Sequence, residues 1–171
     1  MKTIKMDLSV SSINQAIEEL RRYREQFKFK MATFVARMAE IGLQTVEANK
    51  SGTGDSDFAG LNSYILLDGD GSVAKATLVL EGKDVAFIEF GAGVHYNGDG
   101  LSSPHPWGQA YGMLIGSYGD GHGLDNFWFY KKDGESKWTK SHGTQAAMPM
   151  YLAYEDMKNQ FMAVAKEVFD A

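Results

Sequence analysis

SINQAIEELRRYREQFKFKMATFVARMAEIGLQTVEAN, residues 12–49, is periodic from end to end. Ile13, Ile17, Leu20, Phe27, Met31, Phe34, Met38 and Ile41 recur at steps of four and three, and Arg24 stands in that seam where an apolar side chain would continue it. This spacing puts one apolar stripe on one face of an α-helix. Ser12 and Gln15 form an S-x-x-Q capping box, which can satisfy amides that lack helical partners. No proline or glycine interrupts before Gly42, and Ser51-Gly52-Thr53-Gly54-Asp55 ends the pattern. The expectation is a helical arm over 12–49, either one helix or two joined near Arg24 to Lys30. About 37 residues at ~1.5 Å each span roughly 55 Å, whereas a compact domain of this size is about 40 Å across. A straight helix would overhang and leave its seam to a second chain. A kinked one would fold back on its own sheet. Both arrangements stay open.

Upstream, Ile4, Met6 and Leu8 alternate with polar residues and suggest a short strand. Downstream, residues 61–90 read as strands. Leu61 to Leu67 is apolar and β-prone, Asp68-Gly69-Asp70-Gly71 is a turn, and Val73 to Leu80 alternates, with Ala74, Ala76, Leu78 and Leu80 on one face. Glu81-Gly82-Lys83-Asp84 turns again, and Val85 to Phe90 is expected as a buried strand. Residues 91–124 hold ten of the nineteen glycines, together with Pro104, Pro106 and three of the four histidines. A loop of that length is usually functional or mobile. A hairpin follows over 126–140. A final helix over 148–169 has Pro149 in its first turn, with Tyr151, Tyr154, Met157, Phe161, Val164 and Val168 at helical spacing. The 171 residues therefore predict a single α+β domain: a long N-terminal helix and a C-terminal helix packed on a small antiparallel sheet, with a long Gly-rich loop.

Composition narrows the function. The chain has no cysteine, which removes disulfides, thiolate metal sites and a cysteine nucleophile. No apolar run is long enough to span a membrane, and the first ten residues lack the apolar core of a secretory signal. The net charge is −5, which disfavours electrostatic coating of nucleic acid. Residues 1–50 carry nine Lys/Arg and six Asp/Glu, a net of +3, so the remainder carries eight and sixteen, a net of −8. The arm is basic and the body acidic.

Candidate chemistry is sparse. Asp68-x-Asp70-x-Ser72 resembles the opening of a calcium loop, but Val73 and Val79 stand where the required glycine and glutamate would be. His95, His105, His122 and His142 show no spacing that would bring two imidazoles from one element to one metal. A small metal-dependent hydrolase using His95, His105, His122 and Asp120 is the alternative reading, and a carbohydrate-binding module using Trp107 and Tyr111 ranks after it. Gly119-Asp120-Gly121-His122-Gly123 lacks the lysine of a phosphate cradle, and no G-x-S-x-G elbow is present. Tyr96, Trp107, Tyr111 and Tyr118 suit stacking on a sugar or a base, anchoring of the loop to the body, or a contact with another subunit, where such aromatics are enriched. Arg21, Arg24 and Phe27 on the arm join them as candidate partner contacts. Glu18, Glu19 and Glu25 dilute any reading of the arm as a DNA-binding helix.

Two motifs carry a family resemblance. They are Val85-Ala86-Phe87-Ile88-Glu89-Phe90-Gly91-Ala92-Gly93 and the closing block from His142-Gly143-Thr144-Gln145 through Pro149-Met150-Tyr151-Leu152-Ala153, followed by Ala165-Lys166-Glu167-Val168-Phe169. With the long leading helix, this order of parts resembles the tail-component family of tailed bacteriophages and prophages, whose members are described as head–tail joining or tail-completion proteins. The stretch 95–124 is longer than compact members have. The resemblance implies helices against one face of a sheet and a homo-oligomeric ring on the virion axis, a hexamer among the candidate sizes. It also implies contacts with other head or tail proteins, a location in the virion and, during assembly, in the host bacterial cytoplasm. In it Glu89-Phe90-Gly91 ends a strand, Pro149 sets the approach of the last helix, and Tyr151 and Tyr154 lie on the sheet. It carries no catalytic residue, no metal and no cofactor. The expectation is therefore a structural protein that binds, not an enzyme, without a membrane or sequence-specific nucleic acid as partner. In isolation it is expected as a monomer or weak oligomer, with residues 95–124 ordering only against a neighbour.

Overall fold

Ser9 starts the first helix, one turn before the expected box. Its hydroxyl accepts from the Ser12 amide at 3.2 Å, the Ser12 hydroxyl accepts from the Asp7 amide at 2.9 Å, and Asp7 Oδ1 accepts from the Ser9 amide at 2.8 Å. These bonds fix the chain path before the helix, so residues 4–7 form no strand. The computed structural model describes residues 4–50, 60–69, 74–83, 85–91, 105–108, 128–131, 134–141 and 146–170. From Ser9 the helix α1 (Val10–Asn49) runs 40 residues without a break, about 60 Å. The arm is one helix, not two joined near Arg24 to Lys30.

Strands β1 (Asn62–Asp68) and β2 (Lys75–Glu81) pair antiparallel, from Asn62 opposite Glu81 to Asp68 opposite Lys75. The alternation read in β2 holds: Ala76, Leu78 and Leu80 are half-buried, and Lys75 and Thr77 are exposed. Lys50 ties the end of α1 to β1 through Glu47 at 2.6 Å and Ser63 at 3.3 Å; Ser63 also donates to Glu47. These bonds, that from Lys50 first, hold the Glu47 carboxyl below the ordinary range. Next comes α2 (Val85–Phe90), and here the structure corrects the expected strand. Six residues, five of them apolar, suit either a buried strand or a helical turn and a half by pattern alone. The Gly91 amide closes onto the Phe87 carbonyl at 2.8 Å, and Gly91, at φ 76°, ends the helix in the left-handed conformation that glycine adopts without a Cβ penalty. A second hairpin joins β3 (Trp128–Lys131) to β4 (Trp138–Ser141). Among the described residues the strands form two separate two-stranded antiparallel ladders.

The last helix, α3 (Pro149–Asp170), lies antiparallel along the second half of α1. Thr45 donates to Asp156 at 2.7 Å, Arg37 pairs with Glu167 at 2.5 Å, and Lys30 donates to the Phe169 carbonyl at 3.2 Å. Between these tethers the seam closes. Phe34 meets Phe161 edge-on at 5.1 Å, Phe27 and Phe34 each lie 5.9 Å from Phe169, and Ala39, Gly42 and Val46 are buried with Ala153, Val164 and Val168. Small side chains at Ala39, Gly42 and Ala153 let the two axes approach closely.

Asp156 adds a pH dependence to this helix pair. Gln160, first, and Thr45 donate to its carboxyl and hold it below the ordinary 3.8. A carboxyl depressed by folding stabilises the native state above its unfolded value and loses that contribution as pH falls through its folded value. Asp156→Asn is therefore expected to lower stability slightly at neutral pH, to match the parent at acid pH where the parent's carboxyl is protonated, and so to flatten the acid limb below pH 3.8, as read from urea midpoints across a pH series.

Candidate functional site

The first turn of α3 presents donors that its own N-cap cannot satisfy. Helix starts expose amides without intrahelical partners, and a Ser, Thr, Asp or Asn at the N-cap normally accepts from them. Here the N-cap is Met148, whose side chain has no oxygen and whose φ of 54° is rare for a bulky residue. Glu89, on α2 and remote in sequence, supplies the cap instead. Its Oε2 accepts from the Met150 amide at 2.8 Å and its Oε1 from the Tyr151 amide at 2.9 Å. Pro149 has no amide to satisfy, and the Ala147 and Met148 amides both donate to the Ile88 carbonyl, at 2.8 and 3.3 Å. Consecutive residues 88 and 89 thus take up every donor from 147 to 151, and the field of the helix N-terminus favours the carboxylate.

His105 completes the carboxylate's shell. Its Nε2 lies 2.9 Å from Glu89 Oε1, and its Nδ1 accepts from the Trp107 amide at 3.0 Å. A nitrogen that accepts carries no proton, so these partners assign the neutral ring with hydrogen on Nε2, donating to Glu89. Both side chains are buried. The imidazole sits 4.5 Å from the Phe90 ring and 5.2 Å from Tyr151. Trp107 then stands perpendicular to Tyr151 at 5.2 Å and tilts over Tyr154 at 5.5 Å, and Lys158 lies 5.8 Å from the Tyr154 ring. Trp107 and Tyr154 are the exposed rim of this aromatic stack.

A buried Glu–His pair is the raw material of acid–base chemistry, but here its hydrogen-bonding capacity is in use. The nitrogen that would take a proton as a general base already accepts from a backbone amide, and the carboxylate holds two more. What the arrangement does is fasten α2, residues 105–108 and the start of α3 to one another.

No family model, curated protein or solved structure matches the chain. The site therefore rests on its own geometry.

Of the candidate contacts, Trp107 is in this stack, against the rings of Tyr151 and Tyr154. Arg21 is exposed and pairs with Glu18 at 2.6 Å, Arg24 is exposed on the arm, and Phe27 joins Tyr23 and Phe169. Tyr96, Tyr111, Tyr118, His95, His122, His142, Asp120, Asp70 and Ser72 lie outside the described residues. No cluster of three metal-ligating side chains occurs among the described residues. No helix there is long and apolar enough to cross a membrane. The sequence reading missed the role of Glu89. Two signals point to it: an acidic residue inside the apolar run Val85–Phe90 needs a buried partner, and a helix that begins Met148-Pro149 needs a cap from elsewhere.

Proposed function

We propose that this chain is a structural subunit of a tailed-phage virion, a head–tail connector or tail-completion protein that acts by ring assembly and binding. The observation that carries the reading is the Glu89 clasp. The two segments that hold the resemblance, around Glu89-Phe90-Gly91 and Pro149-Met150-Tyr151, are the two that this carboxylate joins. A shared structural joint explains why the motifs hold these residue types without any substrate. The uncovered half of α1 and the exposed Trp107–Tyr154 rim are surfaces suited to neighbouring subunits. The hydrolase alternative loses support at His105, because neither ring nitrogen is left for a metal.

Mixing the purified chain with isolated tail tubes and with DNA-filled heads, followed by negative-stain microscopy, tests the proposal. The expected result is a ring added at the tube end or at the head vertex. Absence of binding to both, or a hydrolytic turnover abolished by a single histidine substitution, overturns it.

A further inference from the structure

The seam of α1 is longer than its cover. Among the described residues α3 covers α1 as far as Lys30, whose amine donates to the Phe169 carbonyl, and residues 10–26 extend about 25 Å beyond that contact. The steps of four and three do not change at that boundary. Val10, Ile17, Leu20 and Phe27 continue the stripe and are 76%, 42%, 55% and 48% exposed. Ala16, on one flank, is buried within the single chain and Ile13 is half-buried, so the open strip is Val10, Ile17, Leu20, Arg24 and Phe27, with the free edge of Ile13 between them.

We propose that a second copy of this chain covers the strip, the two arms pairing as an antiparallel coiled coil in which Ile17 of each copy packs on Leu20 of the other. A repeat of seven with apolar side chains at alternate steps of three and four is the signature of such a pair. Antiparallel, about a twofold axis between residues 18 and 19, the strip complements itself: Val10 meets Phe27, Ile13 meets Arg24 and Ile17 meets Leu20, each layer occurring twice. Arg24 fixes the direction. A parallel pair in register would stack the two Arg24 guanidinium groups in the seam, and like charges there oppose association. The antiparallel pair sets each against the aliphatic Ile13, from which its long stem carries the charge outward.

Helix α3 sets the limit of the overlap. In an antiparallel pair the second arm runs in the same direction as α3 and begins opposite Phe27, just beyond Phe169, which Phe27 already touches. It thus continues the surface α3 occupies and cannot slide further without meeting its end. The last turn of α3 holds no basic residue and the first turn of α1 no acidic one, so each helix end meets a terminus of opposite partial charge. The inference rests on the seam alone and holds whether or not the chain is a virion subunit.

The chain has no cysteine, so single thiols report the register directly. Ile17→Cys and Leu20→Cys are made separately and oxidised alone and as an equal mixture. The expected result is a covalent dimer in the mixture at several times the yield of either variant alone. By sedimentation, Leu20→Glu is expected to be monomeric with unchanged helix content, and Arg24→Leu to associate more tightly than the parent. Equal crosslinking of the single variants, a parent that stays monomeric at every concentration, or Leu20→Glu that associates like the parent overturns the pair. Rings that form without arm crosslinks would overturn the pair and leave the virion reading standing. Arm dimers that bind neither heads nor tails would do the reverse.

Discussion

Glu89→Ala is expected to lower folding stability by about 3–5 kcal/mol, because one carboxylate serves three donors and each one left without its acceptor adds to the cost. Three donors lose their acceptor together: the Met150 and Tyr151 amides and His105 Nε2. The His105 ring is buried and the two amides are part-buried, and a donor left unpaired costs about 1–3 kcal/mol, with the amides toward the lower end. Glu89→Gln separates acceptor geometry from packing. It keeps the side-chain volume, but its amide nitrogen would face one of the backbone donors it must accept from. The glutamine variant is expected to fall between the parent and the alanine variant in urea midpoint. Hydrogen exchange at the Met150 and Tyr151 amides is expected to rise in both variants. A midpoint equal to the parent's in Glu89→Ala would show that the clasp carries no stability.

The second large effect is expected at Gly42, where α1, α3 and β2 converge. A Cβ there would lie 2.9 Å from Met157 Sδ and 3.0 Å from Leu78 Cδ2. Both are far ends of flexible side chains, so a methyl group is accommodated by small shifts. The better helix propensity of alanine, about 1 kcal/mol over glycine, then keeps Gly42→Ala close to neutral. Valine is different. Its two γ-carbons reach past the space that Met157 and Leu78 can vacate, and its χ1 is restricted in a helix. Gly42→Val is expected to cost about 1–3 kcal/mol as an overpacked core. Thermal unfolding of the two variants side by side checks the contrast. Equal melting temperatures would mean that the helix pair tolerates separation.

The contrast between α1 and α2 shows what the sequence makes legible. From Ile13 to Ile41 the steps of four and three never break, and nothing local opposes them, so helix and seam follow from the pattern, while the choice between one helix and two stays open. Pro149 and the periodicity after it likewise announce α3. Val85–Phe90 has only six residues, too few for a period to declare itself, and its β-prone composition favoured a strand. The tertiary bonds of residues 88 and 89 to the start of α3 override that preference. The pairing of Glu89 with His105 and with Met150 and Tyr151 joins positions 16, 61 and 62 residues apart, and no local spacing encodes such distances. What the sequence does hold is the need for them, an acid without a partner and a helix without a cap.

The pairing of the first helix with the last has a consequence for biosynthesis. Lys30 and Phe169 are 139 residues apart, and Thr45 and Asp156 are 111 apart. At about 5–20 residues per second on the ribosome, the first helix emerges roughly 6–25 seconds before the segment that will shield it. During that interval the part of its greasy edge that the last helix will cover is bare. Nascent chains on one polysome, held side by side, would have time to find each other before any of them could close.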